Sequence, residues 1–289
     1  MLCFFGSFAL CHDGAPAVQV QDDSGETIVL EKPAERVIPL YGAFAEILFA
    51  IGAGSRVIAR TQADEYPEAI VRLPSVGTHM RPNVEMILGL KPDLVVQSAS
   101  RREATAEMER LRAAGIPLAV FAPNSFQQLF STMHRLGVLT GREEEALAKE
   151  AELRGRLEKA TSIIDPGDRR PRVFFEVRAE PLTGAGRGGI VQDILNFSGA
   201  ENVLKSEKAI VQYGFESLLL DDPDIYIVQR GPMNRNPLPP AERAHFPRLR
   251  SIREGRVIFV DELLFSRPGP RCVDAVEQLA AELRRKKSP

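Results

Sequence analysis

Apolar residues along this chain return in two alternating rhythms. Short runs of strand length, Val37–Leu40, Val57–Ala59 and Leu94–Gln97, are separated by stretches with apolar positions every three or four residues, Phe44–Ile51 and Asn83–Leu90. The first rhythm predicts strands and the second predicts amphipathic helices. Between them fall a short helix at Pro67–Arg72 and a two-residue strand at Ser75–Val76. A helix at Ala104–Ala114 leads through Gly115 into a strand at Leu118–Phe121, and Phe126–Thr140 is helical. Ahead of all this, Val18–Glu31 alternates around Ser24-Gly25, the pattern of a hairpin. Strand–helix alternation at this spacing predicts a parallel α/β sheet.

Arg142–Ile164 breaks the rhythm. It is long and charged, with an apolar stripe at Leu147, Ala151, Leu157, Ala160 and Ile164, and Asp165-Pro166-Gly167-Asp168 ends it. Alternation then resumes: Val173–Val177 (strand), Ile190–Ser198 and Phe215–Leu220 (helices), Ile225–Val228 (strand), a helical piece at Ala241–His245, Val257–Val260 (strand) and Arg271–Arg285 (helix). The predicted fold is α/β, two parallel-sheet lobes at residues 18–140 and 166–289, joined by a single long helix at 141–165. A ligand cleft lies between the lobes. One helical connector restrains hinge motion more than several flexible strands would, so small lobe displacements are expected.

The first 17 residues stand apart. Leu2–Leu10 is apolar but too short to cross a bilayer, and Ala15-Pro16-Ala17 has the small-x-small character of a cleavage site. Residues 1–17 therefore read as a secretion signal, with Cys11 as a candidate lipid anchor. Without them Cys272 is the one remaining cysteine, which excludes an internal disulfide in the mature chain. Its place in an amphipathic pattern predicts a small buried residue. A net charge of −2 argues against nucleic-acid partners, which require a basic surface.

In a parallel sheet, the loops at the carboxyl ends of the strands gather where small molecules bind. Thr78–Arg81 is such a loop, and His79 is its most distinctive residue among only four histidines. Arg60, Arg81, Arg178, Arg230 and Arg267 all follow predicted strands or lie in loops that rim the expected cleft, where guanidinium groups suit acidic ligand substituents. Phe265 is a candidate apolar wall, and Tyr41 ends the first strand.

Taken in order, the run from Gly42 through Glu46 to Gly52, then Val76-Gly77, then Asn83, Glu85, Ile87 and Leu90-Lys91-Pro92-Asp93-Leu94-Val95, resembles a known family. So do Ile194-Leu195, Gly199-Ala200-Glu201-Asn202-Val203 and the run from Arg267 to Arg271 in the second half. The family is the periplasmic solute-binding proteins of cobalamin, ferric-siderophore and haem ABC importers, of the helical-backbone type. The resemblance implies a monomeric extracytoplasmic protein with no intrinsic cofactor and no catalytic role. Its ligand would be an iron or cobalt chelate, either an iron-siderophore or a cobalamin-type corrinoid. It further implies one glutamate per lobe docking onto arginines of a permease dimer in the inner membrane, and the matching positions are Glu46 and Glu201. The alternative ligand is haem, with His79 or Tyr41 as the axial group.

Other readings start from the same residues. A free zinc or manganese ion calls for several donors from both lobes, and the cleft loops offer one histidine. His79 with Glu85, or with Asp64 and Glu65, is the material of an acid–base or metal-hydrolase site, but HExxH, GxSxG and phosphate-loop spacings are absent. Gly184, Gly186, Gly188 and Gly189 before a helix resemble an anion-binding run, with spacing wrong for a dinucleotide. A sensor built on the same scaffold without transport is the remaining alternative.

Overall fold

Three sheets organise the chain in the computed structural model, which describes residues 17–99, 105–164, 167 and 169–287. The expected signal segment, Cys11 included, lies outside them up to residue 16. The first sheet is the expected hairpin, β1 (Val18–Gln21) antiparallel to β2 (Thr27–Leu30). The second is parallel, in the order β3 (Val37–Pro39), β4 (Leu94–Ser98), β5 (Leu118–Phe121). The runs at Val57–Ala59 and Ser75–Val76 form only isolated bridges, Val37 to Val57 and Arg60 to Ser75. Tight 3-10 turns at Gly54–Arg56 and Glu68–Arg72 leave too little extended chain there for a ladder.

The third sheet departs from the all-parallel expectation. Its strands are β6 (Arg172–Arg178), β7 (Thr183–Ala185), β8 (Glu201–Asn202), β9 (Ile210–Gln212), β10 (Ile225–Arg230) and β11 (Val257–Asp261). The order is β11-β10-β6-β7-β9, with β8 beside the start of β6. The pairs β11–β10 and β10–β6 are parallel, whereas β6–β7 and β7–β9 are antiparallel. The added strands are short and include Thr-Gly-Ala, so no apolar run announced them.

Helices cover both parallel faces. The N-lobe has α1 (Gly42–Ala50), α2 (Val84–Gly89), α3 (Thr105–Ala113) and α4 (Phe126–Leu139). Asn83 caps α2 by accepting the Met86 N–H at 3.0 Å, and Ser125 caps α4 by accepting the Gln128 N–H at 3.2 Å. The long connector is α5 (Glu143–Ser162), with Glu143, Glu144 and Glu145 complementing its dipole in the first turn. It buries Ala146, Leu153, Leu157 and Ala160, while Leu147, expected in the stripe, is half exposed. The C-lobe adds α6 (Ile190–Phe197), α7 (Phe215–Asp221), α8 (Arg250–Arg253), α9 (Glu262–Phe265) and α10 (Cys272–Lys287). Cys272 is fully buried, as expected.

The connector α5 packs on α4 of the first lobe and on α6 and α10 of the second. Arg156 on α5 ties it to Asp274 and Glu277 of α10. One apolar core runs without interruption from Phe44, Phe126 and Phe130 through Leu153 and Leu157 to Ile194, Phe265 and Val276. Separate clusters cover the outer face of each lobe's sheet. The lobes are thus joined by a shared core as well as by a helix.

Candidate functional site

The carboxyl ends of the strands in both lobes face one cavity of about 330 Å³. The N-lobe contributes Tyr41 at the start of α1, Asp64 and His79 from the loops that follow the bridged residues Arg60 and Ser75, and Ser98 at the end of β4. Opposite them stand Val177 from β6, Ile190 and Val191 at the start of α6, and Glu262, Leu263 and Arg267 after β11. The wall is mainly apolar with a few convergent polar groups, the usual character of a small-molecule site. An open groove of about 1070 Å³ continues outward, sharing His79, Ala63, Pro232 and Leu263 and adding Met80, Arg230 and Arg235.

His79 therefore stands where inner cavity and outer groove meet, its ring centroid 6.0 Å from that of Tyr41. The Gln97 side chain holds the loop by donating to the His79 carbonyl at 3.4 Å. Gly77, at φ 94°, lies beside the Arg81 carbonyl, so a side chain at that position would strike the backbone. The loop's shape thus rests on a glycine the sequence already marked. Among the described residues no three His, Cys, Asp or Glu side chains gather as a metal-binding group, so a free cation finds no ready coordination sphere there.

Of the eight expected ligand residues, the inner cavity takes Tyr41, His79 and Arg267, and the outer groove takes Arg230. Arg230 lies over the Phe259 ring at 3.8 Å. The other four are placed elsewhere. Arg60 curls onto its own loop, donating to the Thr61, Gln62 and Asp64 carbonyls. Arg81 is exposed outside both cavities. Strand alternation explains Arg178: Val177 faces the cavity, so its neighbour is turned to the other side and lies exposed. Phe265 is fully buried against Phe175, and Leu263, two residues earlier, forms the wall in its place.

The largest correction concerns Glu46. It lies on the inward face of α1 at 4% exposure, not at a docking surface. Arg271 grips it with two hydrogen bonds, Nε to Oε2 at 2.9 Å and Nη2 to Oε1 at 2.7 Å, while Arg267 Nη1 stands 3.7 Å from Oε1. The Arg271 guanidinium also covers the Tyr66 ring at 4.0 Å. The carboxylate is committed to a cross-lobe ion pair, which leaves it unavailable to a partner protein. Burial raises its pKa despite the two arginines. Glu201, by contrast, is exposed on β8.

One feature of the site had no sequence signal. Glu176 on β6 is wholly buried, yet it accepts Tyr226 O–H at 2.5 Å, Asn234 Nδ2 at 3.0 Å and two bonds from Arg243 at 2.5 and 3.0 Å. This network pins the proline-rich segment 231–243 over the outer groove. The glycine run at 184–189 serves packing: a side chain at Gly186 or Gly188 would strike the backbone carbonyls of Lys208 or Glu207. It brings two backbone segments together.

An apolar cavity with sparse polar groups, built between two α/β lobes that share a core, defines a solute-binding protein. The chain belongs to the periplasmic binding protein family, whose model matches residues 37–262. Over 273 residues it is 29% identical to an uncharacterised ABC-transporter substrate-binding lipoprotein of Bacillus subtilis, covering 92% of this chain and 85% of that protein. It is 24% identical to the vitamin B12-binding protein of Vibrio cholerae, covering 87% of this chain and 90% of that protein. Among solved structures, a possible iron-binding periplasmic solute-binding protein of Staphylococcus epidermidis superposes with a TM-score of 0.77 at 25% identity. The match covers 87% of this chain and 99% of that one.

Proposed function

We propose that this chain captures an iron or cobalt chelate outside the cytoplasm and presents it to the permease of an ABC importer. One observation carries the reading most directly: a cavity walled by both lobes at the strand ends opens into a groove large enough for a planar chelate. A chelate already satisfies its metal, so the protein supplies shape, apolar wall and a few oriented polar groups. His79 and Tyr41 stand at the step between cavity and groove, suited to stack on such a ligand or to reach its axial position. In that reading Cys11 is a lipid anchor holding the receptor at the membrane, and the receptor acts as a monomer.

Docking then needs an exposed acid on each lobe. Glu201 keeps that role on the second. On the first, Glu85 replaces Glu46: it is exposed in the opening turn of α2, the helix that the His79 loop enters. Its partner is Arg110, 2.6 Å away and itself exposed. Surface pairs of this kind are worth ~0–1 kcal/mol and exchange readily for a permease arginine.

Titration of the purified protein with cyanocobalamin, haemin and a ferric hydroxamate, followed by absorbance and tyrosine fluorescence, tests the reading. One of the three binds, and His79→Ala weakens that ligand at least tenfold or abolishes its spectral shift. Failure of all three to bind would sink the proposal.

A further inference from the structure

Asp64 is almost completely buried, at 1% exposure, yet it lines the inner cavity. Its Oδ2 accepts the Thr61 N–H at 2.9 Å, whereas Oδ1, equally buried, accepts no hydrogen bond. Arg267, at 8% exposure, lines the same cavity, with Nη1 4.0 Å from Asp64 Oδ1 and 3.7 Å from Glu46 Oε1. Both separations exceed hydrogen-bonding distance. The two groups are pressed against the first residue of α1: a Cβ on Gly42 would collide with the Arg267 guanidinium and with Asp64 Oδ1. Glycine is what lets an acceptor and a donor stand side by side at this point of the wall.

The charges decide what fits between them. Glu46 and Asp64 are offset by Arg267 and Arg271, and Glu262 is the second buried carboxylate lining the cavity beside Asp64, its Oε2 accepting the Met233 N–H at 2.7 Å. An anionic substituent brought to Asp64 would stand against a second carboxylate out of water, and a cationic one against the Arg267 guanidinium. A neutral group carrying a donor and an acceptor on one carbon satisfies both sides. A primary carboxamide has that form: its N–H donates to Asp64 Oδ1, and its carbonyl accepts from Arg267.

We propose that Asp64 and Arg267 form a subsite for a peripheral primary carboxamide, so that the bound chelate carries neutral amides at its rim in place of free carboxylates. This rests on the reading of the cleft as a chelate site. Matched probes test it: cyanocobalamin against its monocarboxylic acids, and haemin bis-amide against haemin, each titrated into the full-length protein at pH 7.5. In whichever series binds, the amide member is expected to bind at least tenfold tighter than the acid. Asp64→Asn keeps the acceptor for Thr61 but turns a donor toward the cavity, so the gap should shrink below about threefold. Thermal melting confirms that the variant is folded, and the comparison in the unaltered protein stands without it. Equal affinity for amide and acid in the unaltered protein, or an undiminished gap in Asp64→Asn, overturns the subsite while leaving the chelate reading intact. Binding of neither series overturns the subsite, and the chelate reading falls with it only if the ferric hydroxamate also fails to bind.

Discussion

Glu46 shows how a residue's meaning changes with the direction of its side chain. In the sequence it is a lone acid in an apolar helix, and the family resemblance made it a docking point. In the fold it closes a buried ion pair with Arg271 across the lobes. Removing one partner of such a pair strands the other charge, so Glu46→Ala should lower stability by about 3–5 kcal/mol in urea unfolding. Its pH behaviour follows from burial, which raises the native pKa above the ordinary 4.5. A raised native pKa contributes stability that is fully present below the unfolded value and is lost as pH rises through the native one. The difference in unfolding free energy between the natural protein and Glu46→Gln should therefore widen as pH falls from 7 toward 4.5. A difference that narrows over that range would show that Arg271, not desolvation, dominates the site.

At the scale of elements, helices and parallel strands were legible because their apolar periods are strong. Phe126–Thr140 and Leu118–Phe121 were expected within a residue of α4 and β5. The two short strands β7 and β9 were not, since Thr-Gly-Ala has no apolar period to read. The site was legible as a set of loops but not as a set of side chains. Tyr41, His79 and Arg267 reach the cavity, whereas Arg178 is one residue out of phase with it and Arg60 spends its donors on its own loop. Asp64 and Glu262 follow extended segments just as the arginines do, but nothing in local sequence separates a buried acid from a solvated one. The exposed acids give the element-scale prediction. Glu85→Ala with Glu201→Ala should leave chelate affinity of the purified protein within twofold while transport into cells or proteoliposomes falls at least tenfold. Unimpaired transport would remove these two acids from the docking surface.

Across the whole molecule, a continuous core, the α5 connector and the Glu46–Arg271 pair join the lobes. The main-chain N–H of Phe126, at the start of α4, adds to this by donating to Asp193 of α6 at 2.7 Å. Ligand must therefore enter a largely preformed cleft instead of drawing two free lobes together. The Glu176 network pins segment 231–243 over its outer part and leaves the groove beside His79 as the way in. The most direct test of this account is anomalous scattering from crystals of the protein with whichever of cyanocobalamin, haemin or ferric hydroxamate binds. The account predicts one cobalt or iron peak per chain between the lobes, beside Tyr41 and His79 and opposite Leu263. A metal peak on the outer surface of either lobe, with the cleft empty, would contradict it.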